Sequence, residues 1–128
     1  MPKIALFVYG TLKRGGRSNH FLANQEFLGE AETLPLYRLY DHGDHPCLVE
    51  DREHGVAVRG ELWLVDEATL PSLDAYEEVP SWFMRDEIGV ARQTTPIWAY
   101  LYQGDVSGLE DCGTNWPNRA PEEPPRRS

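Results

Sequence analysis

Apolar positions in this chain come first as a continuous run, then as alternating stretches, and finally thin out. Lys3-Ile-Ala-Leu-Phe-Val-Tyr9 is compact, rich in β-formers and closed by Gly10, which predicts a buried central strand. Thr11 to Arg17 follows as a glycine-containing loop. Ser18 or Asn19 can cap a short helix through about Gln25 that buries Phe21 and Leu22. Residues 27–40 predict a strand, a break at Pro35, and a second short strand carrying Tyr37 and Tyr40. Asp41 to His45 is a polar turn before the apolar Cys47-Leu-Val49. From Val56 to Val65 the pattern alternates: Val56, Val58, Leu62 and Leu64 share one face, with Arg59 and Glu61 on the other. Asp66 stands at an N-cap position ahead of a helix over Glu67–Glu77, where Pro71 removes one amide and leaves a 3₁₀ turn before it. Trp82–Val90 and Ile97–Tyr102 predict two further strands.

After about Gly104 prolines multiply among Gly, Asn, Arg and Glu, and aliphatic residues become few. The expected organisation is one domain over residues 1–104 and a polar, Pro-rich C-terminal tail over 105–128, extended or disordered. The length, 128 residues, suits one core.

Charge narrows the partners. A formal net charge of −9 opposes nucleic-acid binding, which needs a positive field, and disfavours an anionic membrane surface. No apolar run approaches spanning length. Cys47 and Cys112 lie far apart without a C-x-x-C pattern, so reduced thiols and a cytoplasmic location are expected. Oligomeric state is not legible.

Two features carry candidate chemistry. On a helix, Leu70, Leu73 and Glu77 share one stripe, whereas Glu78 falls about 100° away, near Glu67 and Asp74 on a solvated face. Glu77 is therefore the inward carboxylate, or, if the helix ends earlier, a group in its terminal turn or paired with Arg85. The second feature is Tyr9-Gly10-Thr11-Leu12, where a glycine directly after a buried strand turns the backbone and frees consecutive amides for an anion. It is neither a Walker loop nor a dinucleotide fingerprint. His42, His45, Asp41 and Asp44 have metal-binding side chains, but in one short turn they read as solvated. Lys13, Arg14 and Arg17 form a local basic patch, and no Ser, Cys or metal constellation suggests hydrolysis.

Taken together, Leu6-Phe-Val-Tyr-Gly-Thr-Leu-Lys-Arg-Gly15, Asn19-His20, Val58-Arg-Gly-Glu-Leu-Trp-Leu-Val-Asp66, and Leu73-Asp-Ala-Tyr-Glu77 followed by Pro80 and Arg85 resemble the γ-glutamylcyclotransferase-like superfamily, particularly its γ-glutamylamine cyclotransferase branch. The likeness covers roughly residues 4–103. It implies an α+β fold, a small mixed β-barrel with flanking short helices. It further implies intramolecular aminoacyl transfer that releases 5-oxoproline from a small γ-glutamyl substrate. Glu77 would be the general acid/base and the loop Tyr9, Gly10, Thr11 and Leu12 would hold the substrate, with no metal and no cofactor. Glu78 and Phe83 stand where the family commonly has a small residue and a tyrosine. The alternative is a non-catalytic module binding a γ-glutamyl or amino-acid-like ligand.

Overall fold

The computed structural model describes residues 2–116. Eight strands and one short α-helix follow in the order β1 (Lys3–Val8), β2 (Glu26–Glu32), β3 (Tyr37–Asp41), β4 (Pro46–Glu50), β5 (Arg59–Asp66), α1 (Leu70–Tyr76), β6 (Phe83–Ile88), β7 (Ile97–Tyr102) and β8 (Glu110–Gly113). A 3₁₀ turn at Asn19–Leu22 precedes β2 and another at Glu67–Thr69 leads into α1. The fold is thus α+β with little helix.

β1 is central in a five-stranded sheet of order β2-β5-β1-β7-β6. It pairs antiparallel with β5 from Lys3↔Asp66 to Val8↔Glu61, and parallel with β7 at Ala5↔Ile97 and Leu6↔Trp98. Its continuous apolar run has a direct cause. Leu6 and Val8 enter one core with Trp63, Leu70 and Leu73, while Phe7 and Tyr9 enter a second with Leu39, Leu48 and Ile97. Each such fully buried side chain contributes roughly 1.5–3 kcal/mol of transfer free energy. The second sheet, of order β4-β3-β8, packs over the second core.

The expected barrel does not appear as a closed ladder, since the strands divide between two sheets. The edges of the larger sheet meet at one end only. There Thr33 bridges Val90, Leu34 N–H donates to Gly89 O at 3.0 Å and Ala91 N–H to Glu32 O at 2.9 Å.

Other boundaries also move. The alternating strand begins at Arg59 rather than Val56, because Val56 makes only an isolated bridge to Tyr37. Asp66 holds the N-cap position but its side chain makes no cap bond. The helix stops at Tyr76, one residue short of Glu77. Residues 110–113 are not tail: they form β8, pairing Tyr40↔Asp111 and Asp41↔Glu110 on β3. The part of the expected tail from 117 onward lies outside the described residues. Among the described residues, no helix is long and apolar enough to cross a membrane.

Candidate active site

The loop leaving β1 is built by tight contacts. Gly10 lies against Pro46 of β4, and a Cβ there would meet Pro46 Cδ at 2.6 Å, so no larger residue fits without movement. The chain turns at once, with Lys13 N–H donating to Gly10 O at 3.0 Å, and Ser18 N–H returns to Thr11 O at 3.0 Å. Asn19 Nδ2 donates to Leu12 O at 2.8 Å. Glu61 anchors the far side, accepting from Arg14 N–H at 2.9 Å, Arg14 Nε at 3.1 Å and Trp63 Nε1 at 3.2 Å. Within this frame the amides of Gly10, Thr11 and Leu12 donate to no acceptor among the described residues. Consecutive unused amides of this kind can bind an anion.

Helix α1 supplies the facing wall. Tyr76 in its last turn meets Ser18 Oγ at 2.5 Å and Thr11 Oγ1 at 3.0 Å through its hydroxyl, tying the loop to the helix. Glu77 is the helix C-cap, its N–H still donating to Leu73 O at 2.9 Å. Its side chain is partly buried and lines the same cavity, of about 290 Å³, as Tyr9, Gly10, Thr11, Leu12 and Arg17. That size is near the lower end for ligand pockets and suits an amino-acid-sized group. Burial raises the Glu77 carboxyl from its ordinary 4.5 to about 7, since removing water disfavours the charged form. No side chain among the described residues pairs with it. Glu78 also borders the cavity but is exposed and sits in left-handed backbone, φ 54°.

Below the cavity lies a polar network. Asp74 accepts from Arg85 Nε and Nη2, both at 3.1 Å, and from Tyr100 O–H at 2.7 Å. Tyr9 O–H donates to the Tyr100 carbonyl. The Arg85 hydrogen bonds hold the Asp74 carboxyl below its usual range. Burial, reinforced by the Glu77 charge, pushes the Tyr9 phenol well above its usual range. Arg85 therefore belongs to Asp74 and not to Glu77. Asp74, expected on a solvated face, turns out to be its counter-ion. Glu61, expected on the polar face of its strand, is buried with 7% exposure. A clue was available: it directly precedes the apolar run Leu62–Val65. Tyr76 and Ser18 gave no such signal, because a tyrosine and a serine fit anywhere.

The thiols are not candidates for nucleophilic work. Cys47 and Cys112 are free and buried, and burial pushes both up to about 12, leaving no thiolate near neutral pH.

Residues 6–118 match the family model described as gamma-glutamyl cyclotransferase, AIG2-like. This extends the likeness past residue 103, through β8. A protein of Vibrio cholerae serotype O1 named "Putative gamma-glutamylcyclotransferase" is 45% identical over 98 residues, covering 77% of this chain and 81% of that one. The Escherichia coli K12 gamma-glutamylcyclotransferase family protein YtfP is 32% identical over 105 residues, covering 82% and 88%. Among solved structures, c4763, described as a uropathogenic E. coli-specific protein, superposes with a TM-score of 0.79 at 26% identity, covering 91% of this chain and 94% of that one. These matches bear out the superfamily that the sequence resembled, and the chain belongs to the gamma-glutamyl cyclotransferase, AIG2-like family.

Proposed function

We propose that the protein is a γ-glutamyl cyclotransferase that releases 5-oxoproline and an amine from a γ-glutamyl compound, with Glu77 as its general acid/base. The observation that carries this reading is one cavity shared by a carboxyl group raised by burial to about 7 and the free amides of Gly10, Thr11 and Leu12. A proton shuttle works best when its pKa lies near the working pH. Ionised Glu77 takes a proton from the substrate α-ammonium. The freed nitrogen attacks the γ-carbonyl carbon, closes the five-membered ring and loses its second proton to solvent. The new oxyanion or the substrate carboxylate is met by the loop amides. Collapse breaks the bond to the leaving nitrogen, which receives the proton from Glu77. Because the nucleophile is already tethered, holding the chain folded back supplies most of the acceleration. Arg17, exposed at the cavity edge and without an ion pair among the described residues, supports binding of an anionic end group.

The test is a panel of γ-glutamyl amines and γ-glutamyl amino acids assayed for 5-oxoproline. Glu77→Gln should lose about 10²–10⁴-fold in rate, whereas Glu78→Gln should retain turnover. Undiminished activity in Glu77→Gln would sink the assignment. Release of free glutamate would indicate hydrolysis, and saturable binding without turnover would indicate a binding module.

A further inference from the structure

The turn between β3 and β4 carries side chains that the cyclisation does not use. His42, Asp44 and His45 each bring one ligand atom to within 4.8 Å of the others. Sequence spacing predicts a solvated turn here. His42 and Asp44 are indeed exposed, and the fold adds aromatic neighbours to both imidazoles from outside the turn. His42 stacks on His45 with centroids 5.0 Å apart and 9° between the planes. Trp82 and Tyr102 each meet His42 edge-on at 6.0 Å, and Phe83 meets His45 at 5.9 Å. Rings held in place this way lose less freedom on gathering around a ligand.

The orientation of His45 brings a ring nitrogen to Asp44. Its Nδ1 faces the Pro46 carbonyl at 3.4 Å. A carbonyl only accepts, so Nδ1 is the donor in this contact and Nε2 is the ring nitrogen turned towards Asp44. That Nε2 lies 3.6 Å from Asp44 Oδ1. The net charge of −9 and the neighbouring Asp41 deepen the negative potential.

We propose that His42, Asp44 and His45 bind a zinc-type transition-metal dication at the mouth of the cavity. Two imidazoles and one carboxylate suit such an ion, whereas calcium and magnesium demand oxygen ligands. The Pro46 carbonyl orients His45 as outer partners of metal-bound histidines do. Bonds of about 2.0–2.2 Å set ligand atoms roughly 3.3 Å apart, so closure from the observed spread takes at most about 1.5 Å. Asp44, with its side chain 76% exposed, is free to make that shift. Asp44 and His45 also line the cavity, so the ion would border the space a ligand occupies. Nothing in this inference depends on the cyclotransferase reading.

Isothermal titration of the untagged full chain with Zn²⁺ tests it. One ion per chain is expected, with affinity falling about 10–100-fold in His42→Ala and in His45→Ala, and unchanged in His20→Ala and His54→Ala. Far-UV circular dichroism of each variant confirms folding. On the unaltered chain, Zn²⁺ should shift the imidazole nitrogen resonances of His42 and His45 alone. Absence of saturable binding would overturn the proposal. So would binding that survives both turn variants, or resonance shifts at His20 or His54 instead.

Discussion

Replacing Glu77 with glutamine should stabilise the protein as well as stop the proposed reaction, and the size of the gain should depend on pH. In the folded chain the carboxyl titrates at about 7, and its ordinary value is 4.5. Ionising it in place rather than in the unfolded chain therefore costs about 3 kcal/mol. The folded state holds the proton more tightly, so between pH 4.5 and 7 it binds more protons than the unfolded chain. Stability attributable to this group is then present at low pH and falls as pH rises through that window. Glutamine keeps the shape and carries no charge at any pH. Glu77→Gln should match the parent near pH 4.5 and exceed it by about 2–3 kcal/mol at pH 8. Urea unfolding followed by tryptophan fluorescence at pH 4.5, 6, 7 and 8 reads this as a midpoint difference that grows with pH. Glu78→Gln, removing an exposed carboxylate, should stay within about 0.5 kcal/mol of the parent throughout. A Glu77→Gln gain that is absent, or flat across the pH range, would refute the burial argument. Such a gain would also explain why the charge is kept: a poised proton shuttle is held at the expense of stability.

Three further perturbations have defined outcomes. Asp74→Asn weakens the paired bonds to Arg85 and should destabilise by about 1–3 kcal/mol at pH 7. Because Asp74 is held below its usual 3.8, this gap should narrow only as pH falls below that value, as denaturation midpoints at pH 3 and 7 will show. Tyr76→Phe removes the hydroxyl shared by Ser18 and Thr11; about 1–2 kcal/mol of stability should go, and KM for a turned-over substrate should rise more than kcat falls. Gly10→Ala forces a methyl group into Pro46 and should cost about 1–3 kcal/mol in chemical denaturation; an unchanged midpoint would mean the loop gives way freely.

How much could be read in advance depended on where each residue's environment came from. β1 and β7 were legible because a strand buried on both faces is apolar nearly throughout, and β3 through Tyr37 and Tyr40 between the break at Pro35 and the polar turn at 41–45, whereas Pro46–Glu50 had offered only a short apolar stretch. Pro71 likewise announced the 3₁₀ turn ahead of α1. β8 was not legible. Glu-Asp-Cys-Gly carries almost no apolar pattern, and those residues become a strand because β3 offers an unpaired edge.

The candidate site divides in the same way. Helical phase and a glycine after a buried strand marked Glu77 and the Tyr9–Leu12 loop, since both follow from local backbone geometry. Which cation pairs with which carboxylate was decided only in three dimensions. Arg85 lies eleven residues from Asp74 and eight from Glu77, and sequence distance cannot choose between them. The register of β6 on β7, setting Arg85 opposite Tyr100, brings its guanidinium to Asp74 and leaves Glu77 without a counter-ion. Local periodicity turned Glu77 inward but left Asp74 and Glu61 on faces expected to be solvated, where one is paired and the other buried. Which of these charges are neutralised is set by the packing of distant segments, because pairing energy falls off within a few ångströms and depends on contacts between strands far apart in the chain.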